Sequence, residues 1–444
     1  MAVLAALGDP ARHLPATLGV VTVGFGALVW AGRRLGWAGV PLGPKSLAQG
    51  LVVAAILRAL ALTLSPTLSN DLERYLWDGA VVLSGENPYR LAPEDPSLTP
   101  LRDEHWERLH HRDVPTVYPP LALGLFALVT PSPAPGVLLR GLLALADLGG
   151  CWALGQIARR RALGLDAWAW YAWNPLPVLE GAGMGHVDVL GVALTLAALH
   201  FALRSRPGAS GVAAGLGILT KYAPIVTLPL LARATGRPIR LVLAALAVAL
   251  LGLVPVVLST GVPLGLVTYG VSWEFNGPLY EPLWRLLGAA GIDRLAADAV
   301  DTLKEATEHH PGWNRLYPLL YPQLLAKLAL AAGMLLVVVR AWRTGTTEVG
   351  FERLFGGLLL CSATVYPWYV LWVLPWAVLT GGWAWRILSA SVLISYLAQT
   401  NVVDVFPLIW AAVWVPFILG LWSDHRHRRS NPEEPSAWSR RSTG

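Results

Sequence analysis

Charge is scarce in this sequence. Asp, Glu, Lys and Arg make up 14% of its 444 residues, against roughly 25% in an average globular domain. With 55% apolar residues and a mean hydropathy of +0.51, that deficit excludes a soluble enzyme, a disordered chain and a nucleic-acid binder. Cysteine is scarce too. Cys151 and Cys361 both lie in apolar stretches, so no disulfide framework is implied. Lysine is rarer than expected for a basic chain, four residues against thirty arginines. The net charge of +6 reflects arginines in short loops, which the positive-inside rule explains with no nucleic acid as partner. No G-x-x-x-x-G-K-S/T or G-x-G-x-x-G fingerprint is present, so nothing points to a nucleotide site.

What the chain has instead is apolar stretches nearly end to end. They fall at about 14–31, 47–65, 136–157, 166–180, 188–203, 210–220, 222–232, 239–260, 317–340, 352–366, 368–381, 385–401 and 405–422. A spanning helix needs roughly 20 apolar residues, so the shorter stretches predict broken helices around a groove. The expectation is an all-α polytopic membrane protein of about 11–13 transmembrane helices, in one domain over 1–422, with a basic cytoplasmic tail over 423–444. The run from Leu14 to Trp30 lacks a small-residue cleavage site and ends in Gly-Arg-Arg, so it reads as a retained helix.

The arginines orient the spans. Arg33-Arg34, Arg159-Arg160-Arg161, Arg204/Arg206, Arg233/Arg237/Arg240, Arg340/Arg343, Arg386 and the tail should face the cytoplasm. Alternation holds if 119–130, short and opened by Pro119-Pro120, is interfacial or re-entrant. Two long loops, about 66–117 and 261–316, are then extracytoplasmic and hold 17 of the 28 Asp and Glu residues. Acidic chemistry is expected outside, in a cell-membrane protein whose active site faces that side.

The first loop opens with Ser69-Asn-Asp71-Leu-Glu-Arg74-Tyr75-Leu-Trp-Asp78-Gly, followed by Asn87-Pro-Tyr89. Asn70 with Glu73 reads as a helix start of capping-box type, which puts Asp71 in the first turn, where the helix dipole favours an ionised carboxylate. Asp71, Arg74 or Tyr75, and Asp78 share one face. A carboxylate held ionised there can act as general base toward a hydroxyl; equally, Asp and Arg could simply pair on a solvated amphipathic helix. Tyr118-Pro-Pro then turns the chain back onto the membrane as an interfacial anchor.

Trp173-Asn174-Pro-Leu-Pro-Val-Leu-Glu180 and Gly185-His186-Val-Asp188 put ionisable groups at the outer mouth between two spans. Such groups cost roughly 2.5–3.5 kcal/mol each at depth, so function is the default reading. A His with two carboxylates also suggests a metal, but the spacing matches no strong metal motif; a hydrogen bond from His186 to phosphate or sugar is preferred. Lys221, in Thr220-Lys-Tyr-Ala-Pro, either snorkels to headgroups or neutralises a lipid-linked phosphate. Ser272-Trp273-Glu-Phe-Asn276-Gly combines aromatic faces for sugar stacking with amide groups, as any interfacial loop can. Tyr366-Pro-Trp368-Tyr-Val-Leu-Trp reads first as aromatic belt and second as groove lining. Arg140 and Asp147, seven residues apart on one face, are expected to pair inside the bundle.

Taken in order, Asp71-Leu-Glu-Arg-Tyr-Leu-Trp-Asp-Gly, Asn87-Pro-Tyr, Tyr118-Pro-Pro-Leu, Trp173-Asn-Pro-Leu, Gly185-His-Val-Asp, Thr220-Lys-Tyr-Ala-Pro and Tyr366-Pro-Trp-Tyr resemble the glycosyltransferase C superfamily. The resemblance runs from about Leu60 to Leu421 and is closest to bacterial polyprenyl-phosphate-dependent mannosyltransferases. It implies a glycosyltransferase C-type fold and transfer of a hexose, mannose on this resemblance, with inversion. The donor would be a polyprenyl-phosphate sugar, the acceptor a glycolipid or glycan hydroxyl, and both would be met at the membrane lipid surface. It implies an acidic base in the first outer loop, Asp71 or Asp78, the sequence offering no Asp-Asp pair to decide between them. Lys221, Arg74 and His186 would neutralise the leaving phosphate, and Glu180 and Asp188 would orient hydroxyls. No cofactor is required, though a divalent metal stays open. A transporter or flippase of lipid-linked sugars, or a glycan polymerase or ligase, would share many of these features.

Overall fold

The computed structural model describes residues 2–307, 313, 321–343, 346–399 and 405–430. The end of the second long loop and the tail beyond residue 430 lie outside the described residues. Among the described residues six helices are long and apolar enough to cross a membrane: Leu14–Arg34, Pro44–Ala61, Pro135–Arg160, Pro238–Thr260, Pro322–Arg343 and Val405–Arg426. No strand occurs among the described residues beyond isolated bridges. The chain is an all-α, multi-pass membrane protein.

These helices share a sequence grammar. Four of them begin on proline, at Pro44, Pro135, Pro238 and Pro322, where the missing N–H donor costs nothing and φ is already helical. Arg33-Arg34, Arg58, Arg159-Arg160 and Arg340/Arg343 occupy last turns, where a cation meets the negative end of the helix dipole. Half of the apolar window of Pro135–Arg160 is buried, against 17% for Pro238–Thr260 and Pro322–Arg343. The first is therefore central and the other two face lipid.

Of the remaining apolar stretches, 188–203 is one continuous helix, Asp188–Leu203, while others are broken. The span expected over 166–180 is helix Leu165–Ala172 followed by a short turn, Pro175–Pro177, and a π-helical turn, Val178–Gly183. Two prolines without N–H donors cannot continue an α-helix here, and π turns of this kind favour functional sites. Helix Pro207–Thr220 stops because Lys221 is extended (φ −147°, ψ 142°) and Pro224 follows. Gly211 and Gly215 let that helix press against Pro238–Thr260: a Cβ on Gly211 would lie 2.2 Å from the Leu241 carbonyl oxygen, the close approach that small residues permit in membranes. Helix Trp410–Ser430 continues past Ser423, so the first part of the expected tail is helical.

One expected pairing is replaced. Arg140 does not pair with Asp147; its guanidinium donates to the carbonyls of Leu64 (2.7 Å) and Gly183 (3.0 Å). Asp147 instead meets Arg58 at 2.6 Å and accepts from the Tyr171 hydroxyl at 3.0 Å, all three buried. Seven residues also span two full turns, so the two side chains stand too far apart along the axis to meet.

In the first loop, helix Asp71–Leu83 lies across helix Pro120–Val129, whose ten residues are about 15 Å long, half of a crossing. Tyr75 stacks on Phe126 at 4.4 Å, and a Cβ on Gly79 would meet the Phe126 carbonyl at 2.7 Å. The opposite face sets Trp77 and Val81 against Leu98 and Leu109 in a small core of its own. The loop is thereby a folded cap. Asn70 does sit at the N-cap, but its amide donates to the Arg108 carbonyl at 3.0 Å and the capping oxygen is Ser69 Oγ, 3.1 Å from the Asp71 N–H. Glu73 pairs with Arg108 and His105 across the loop, not with the cap.

Candidate active site

A groove of about 610 Å³ opens between this cap, the Lys221 break, the second loop and the aromatic run 366–372. Asp71 stands on its wall because it heads helix Asp71–Leu83, which packs on helix Pro120–Val129. Its carboxylate is 31% exposed and lies 3.6 Å from His186 Nδ1. The other ring nitrogen of His186, Nε2, is 3.2 Å from Glu180, and Glu180 accepts from the Tyr396 hydroxyl at 2.9 Å on both oxygens. His186, Glu180 and Tyr396 are fully buried. An imidazole flanked by two carboxylates holds both ring protons. Burial alone pushes the Asp71 carboxyl up, but the His186 ion pair, the Lys221 charge and the Tyr75 hydroxyl outweigh it and leave it below the ordinary 3.8. Asp71 is thus an ionised carboxylate with open access to the groove.

The turn that delivers His186 is held by Arg140 on the Gly183 carbonyl and by Gly185, whose φ of +84° suits a residue without Cβ. Trp368 stacks on His186 at 3.8 Å, Tyr366 on Trp368 at 4.6 Å and Phe275 on Tyr366 at 4.7 Å. This ladder forms a continuous aromatic wall. On the other side Lys221 lies 3.3 Å from Asp188 and faces the Tyr118 and Tyr369 rings at 5.4 and 5.8 Å. Trp372 donates to the second Asp188 oxygen at 2.7 Å. Arg74 lines the groove while donating to Asp78 (2.9 Å) and to the Val114 carbonyl (2.9 Å).

Asp71, Arg74, Tyr118, Asp188, Lys221, Trp273 and Trp368 all line this groove. Glu180 and His186 stand behind it with no exposure, His186 Nδ1 facing Asp71 and Nε2 facing Glu180. Asp78 is turned away. It is 1% exposed, with one oxygen on Arg74 and the other accepting from Thr116 at 2.6 Å. Burial raises its carboxyl above the ordinary value although Arg74 and Thr116 oppose that. Tyr75 is buried beneath the cap. Tyr89 donates to the Tyr118 carbonyl, and the Asn87 side chain accepts from the Tyr89 N–H. Asn174 caps the turn at Leu176 and donates to Ser389, and Asn276 accepts from Trp414. The Tyr89, Asn87 and Asn174 groups bond to the scaffold, whereas the Tyr75 hydroxyl reaches Asp71 at 3.4 Å and the buried Asn276 amide nitrogen has no hydrogen-bond partner among the described residues.

Sequence reasoning passed over His110, His111, Tyr222 and Tyr269, which also line the groove. Tyr269 meets Tyr369 hydroxyl to hydroxyl across 100 residues of chain, and no local pattern signals that. Burial, His110 and Arg74 hold the His111 imidazole below its ordinary pKa, against Asp113 and Asp71. Among the described residues no three His, Cys, Asp or Glu side chains converge as metal ligands; Asp71, His186 and Glu180 form a line, each oxygen facing a ring nitrogen.

A comparison with curated proteins finds no match. The family model described as alpha-(1->6)-mannopyranosyltransferase, N-terminal domain, matches residues 2–237, which carry Asp71, Arg74, Tyr118, Glu180, His186, Asp188 and Lys221. The chain belongs to that alpha-(1->6)-mannopyranosyltransferase family and is a multi-pass membrane mannosyltransferase of the glycosyltransferase C type.

Proposed function

We propose that this mannosyltransferase takes mannose from a polyprenyl-phosphate donor and passes it, with inversion, to a glycolipid or glycan hydroxyl at the extracytoplasmic face. The observation that carries the reading is Asp71: a carboxylate kept ionised by His186 and open to a groove whose other wall holds Lys221. Asp71 takes the acceptor hydroxyl proton as the acceptor oxygen attacks the anomeric carbon. The bond from that carbon to the phosphate oxygen breaks on the opposite face, and the electron pair leaves with polyprenyl phosphate. Lys221 and Arg74 stabilise the growing phosphate charge, since a phosphate leaves as an anion and needs no proton. The half-buried Trp273 ring and the edges of the stacked Tyr366 and Trp368 rings flank the sugar, and Leu266, Phe355, Leu358 and Leu359 give the polyprenyl chain an apolar floor. The arginines at the far helix ends support placing the groove on the outer side.

The test is transfer of radiolabelled mannose from polyprenyl-phospho-mannose to membrane glycolipid by purified protein in nanodiscs. Asp71→Asn should lower the rate by about 10²–10⁴-fold in a protein that melts as wild type does. Full activity of that variant would remove Asp71 as base, and no transfer from this donor by wild type would remove the donor.

A further inference from the structure

A second cavity, of about 430 Å³, lies at the opposite end of the bundle and is lined by Gln156, Arg159, Arg160, His200 and Arg204 among others. Helix Pro135–Arg160 begins beside the groove, where Arg140 clamps Gly183, and ends in this cavity. Its twenty residues from Arg140 to Arg160 separate the two sites by about 30 Å, the thickness of a bilayer core. Three guanidinium groups converge here, and none forms an ion pair with a carboxylate among the described residues; Arg159 donates only to Gln156, at 3.2 Å. Arg160 and Arg204 are exposed and Arg159 is half-buried; like charges gathered there without counter-ions create a positive potential that attracts an anion from outside the chain.

The approach to the cavity identifies the anion's source. Leu145, Gly149, Trp152, Gln156 and Arg160 follow one another at three- and four-residue spacing along one face of the helix. Leu145 and Trp152 are 66% and 45% exposed, and a Cβ on Gly149 would meet nothing within 4 Å. The Trp152 ring is 5.0 Å from that of His200, which roofs the cavity. An open apolar lane thus runs from the lipid-facing side into the arginine cluster. Basic pockets between helices hold anionic headgroups in this way. We propose that the cavity is a binding site for the phosphate headgroup of an anionic membrane lipid, with an acyl chain along Leu145, Gly149 and Trp152. This lipid is held on the leaflet opposite the groove and is neither donor nor acceptor.

The test is native mass spectrometry of the purified full chain titrated with phosphatidylglycerol and, separately, phosphatidylcholine of the same acyl chains. Wild type should retain phosphatidylglycerol preferentially. Arg160→Ala/Arg204→Ala should weaken that retention about thirty-fold, two surface cations each contributing roughly a factor of five. Trp152→Ala should weaken it as well, and the control Arg33→Ala/Arg34→Ala, at another helix end, should not. Unimpaired mannose transfer by the variants in detergent shows that they are folded. Equal retention of both lipids, equal loss in the control, or displacement of phosphatidylglycerol by millimolar inorganic phosphate would each overturn the lipid site, the last by making it a free-anion site.

Discussion

His186→Gln separates the action of His186 on the base from a role at the substrate. The substitution keeps side-chain bulk and hydrogen-bonding groups but removes a positive charge 3.6 Å from the Asp71 carboxylate. At that distance the interaction is about 1 kcal/mol in water and about 5 kcal/mol at an effective dielectric of 20. Glu180, 3.2 Å from the other side of the ring, cancels part of it. With about 1.36 kcal/mol per pH unit, the carboxyl should rise by about one to three pH units. The sign follows from its folded-state value, which lies below 3.8 because His186, Lys221 and Tyr75 outweigh burial. Base activity in wild type is therefore present above 3.8 and lost only as pH falls through the depressed value. In His186→Gln the acidic limb of kcat/KM moves upward, with the rate at high pH retained within about tenfold. The assay is mannose transfer from pH 3.5 to 8 in nanodiscs, with Glu180→Gln as companion. Glu180→Gln should shift the limb little or slightly downward, because the imidazolium then has only Asp71 to neutralise it. An unmoved acidic limb in His186→Gln, with the rate reduced equally at every pH, would refute this reasoning and place His186 at the substrate.

Asp78→Asn should act on stability: it strips the charge partner from Arg74 in a site 1% exposed, costing about 3 kcal/mol in a detergent melting curve, while the folded fraction still transfers mannose. Gly215→Val should destabilise the bundle by about 1–3 kcal/mol, since its Cβ would lie 2.8 Å from the Ala245 carbonyl oxygen; urea or thermal unfolding reads this directly. For orientation, Thr99→Cys in a Cys151→Ser/Cys361→Ser background should react with a membrane-impermeant thiol reagent in intact cells, because Thr99 is an exposed position of the first loop. Labelling only after lysis would reverse the proposed topology.

Much of the site was legible locally because its residues contradict their surroundings. A lysine in Leu219-Thr-Lys221-Tyr-Ala-Pro, or His186 and two carboxylates among glycines, has no apolar reason to be there. Asp71 was legible because a helix start fixes where the first-turn side chain stands. The choice between Asp71 and Asp78 was not legible, since both lie on one helix seven residues apart. Packing separates them: Thr116 and Arg74 close over Asp78, while His186 reaches Asp71 from a different part of the chain. In sequence an amide looks the same whether it caps a turn or binds a hydroxyl; the structure shows Asn174 capping the turn at Leu176.

By itself the sequence determined the class of molecule, since in lipid a chain must satisfy its backbone polar groups as helices or closed barrels, and long continuous apolar runs select helices. It also determined where the helices break, because proline and glycine act on their own turns. Only the tertiary structure decided which charges meet. Arg140 takes two carbonyls and leaves Asp147 to Arg58, and Tyr269 finds Tyr369. Such pairings depend on distances between segments far apart in the chain, and side-chain chemistry alone does not carry that information.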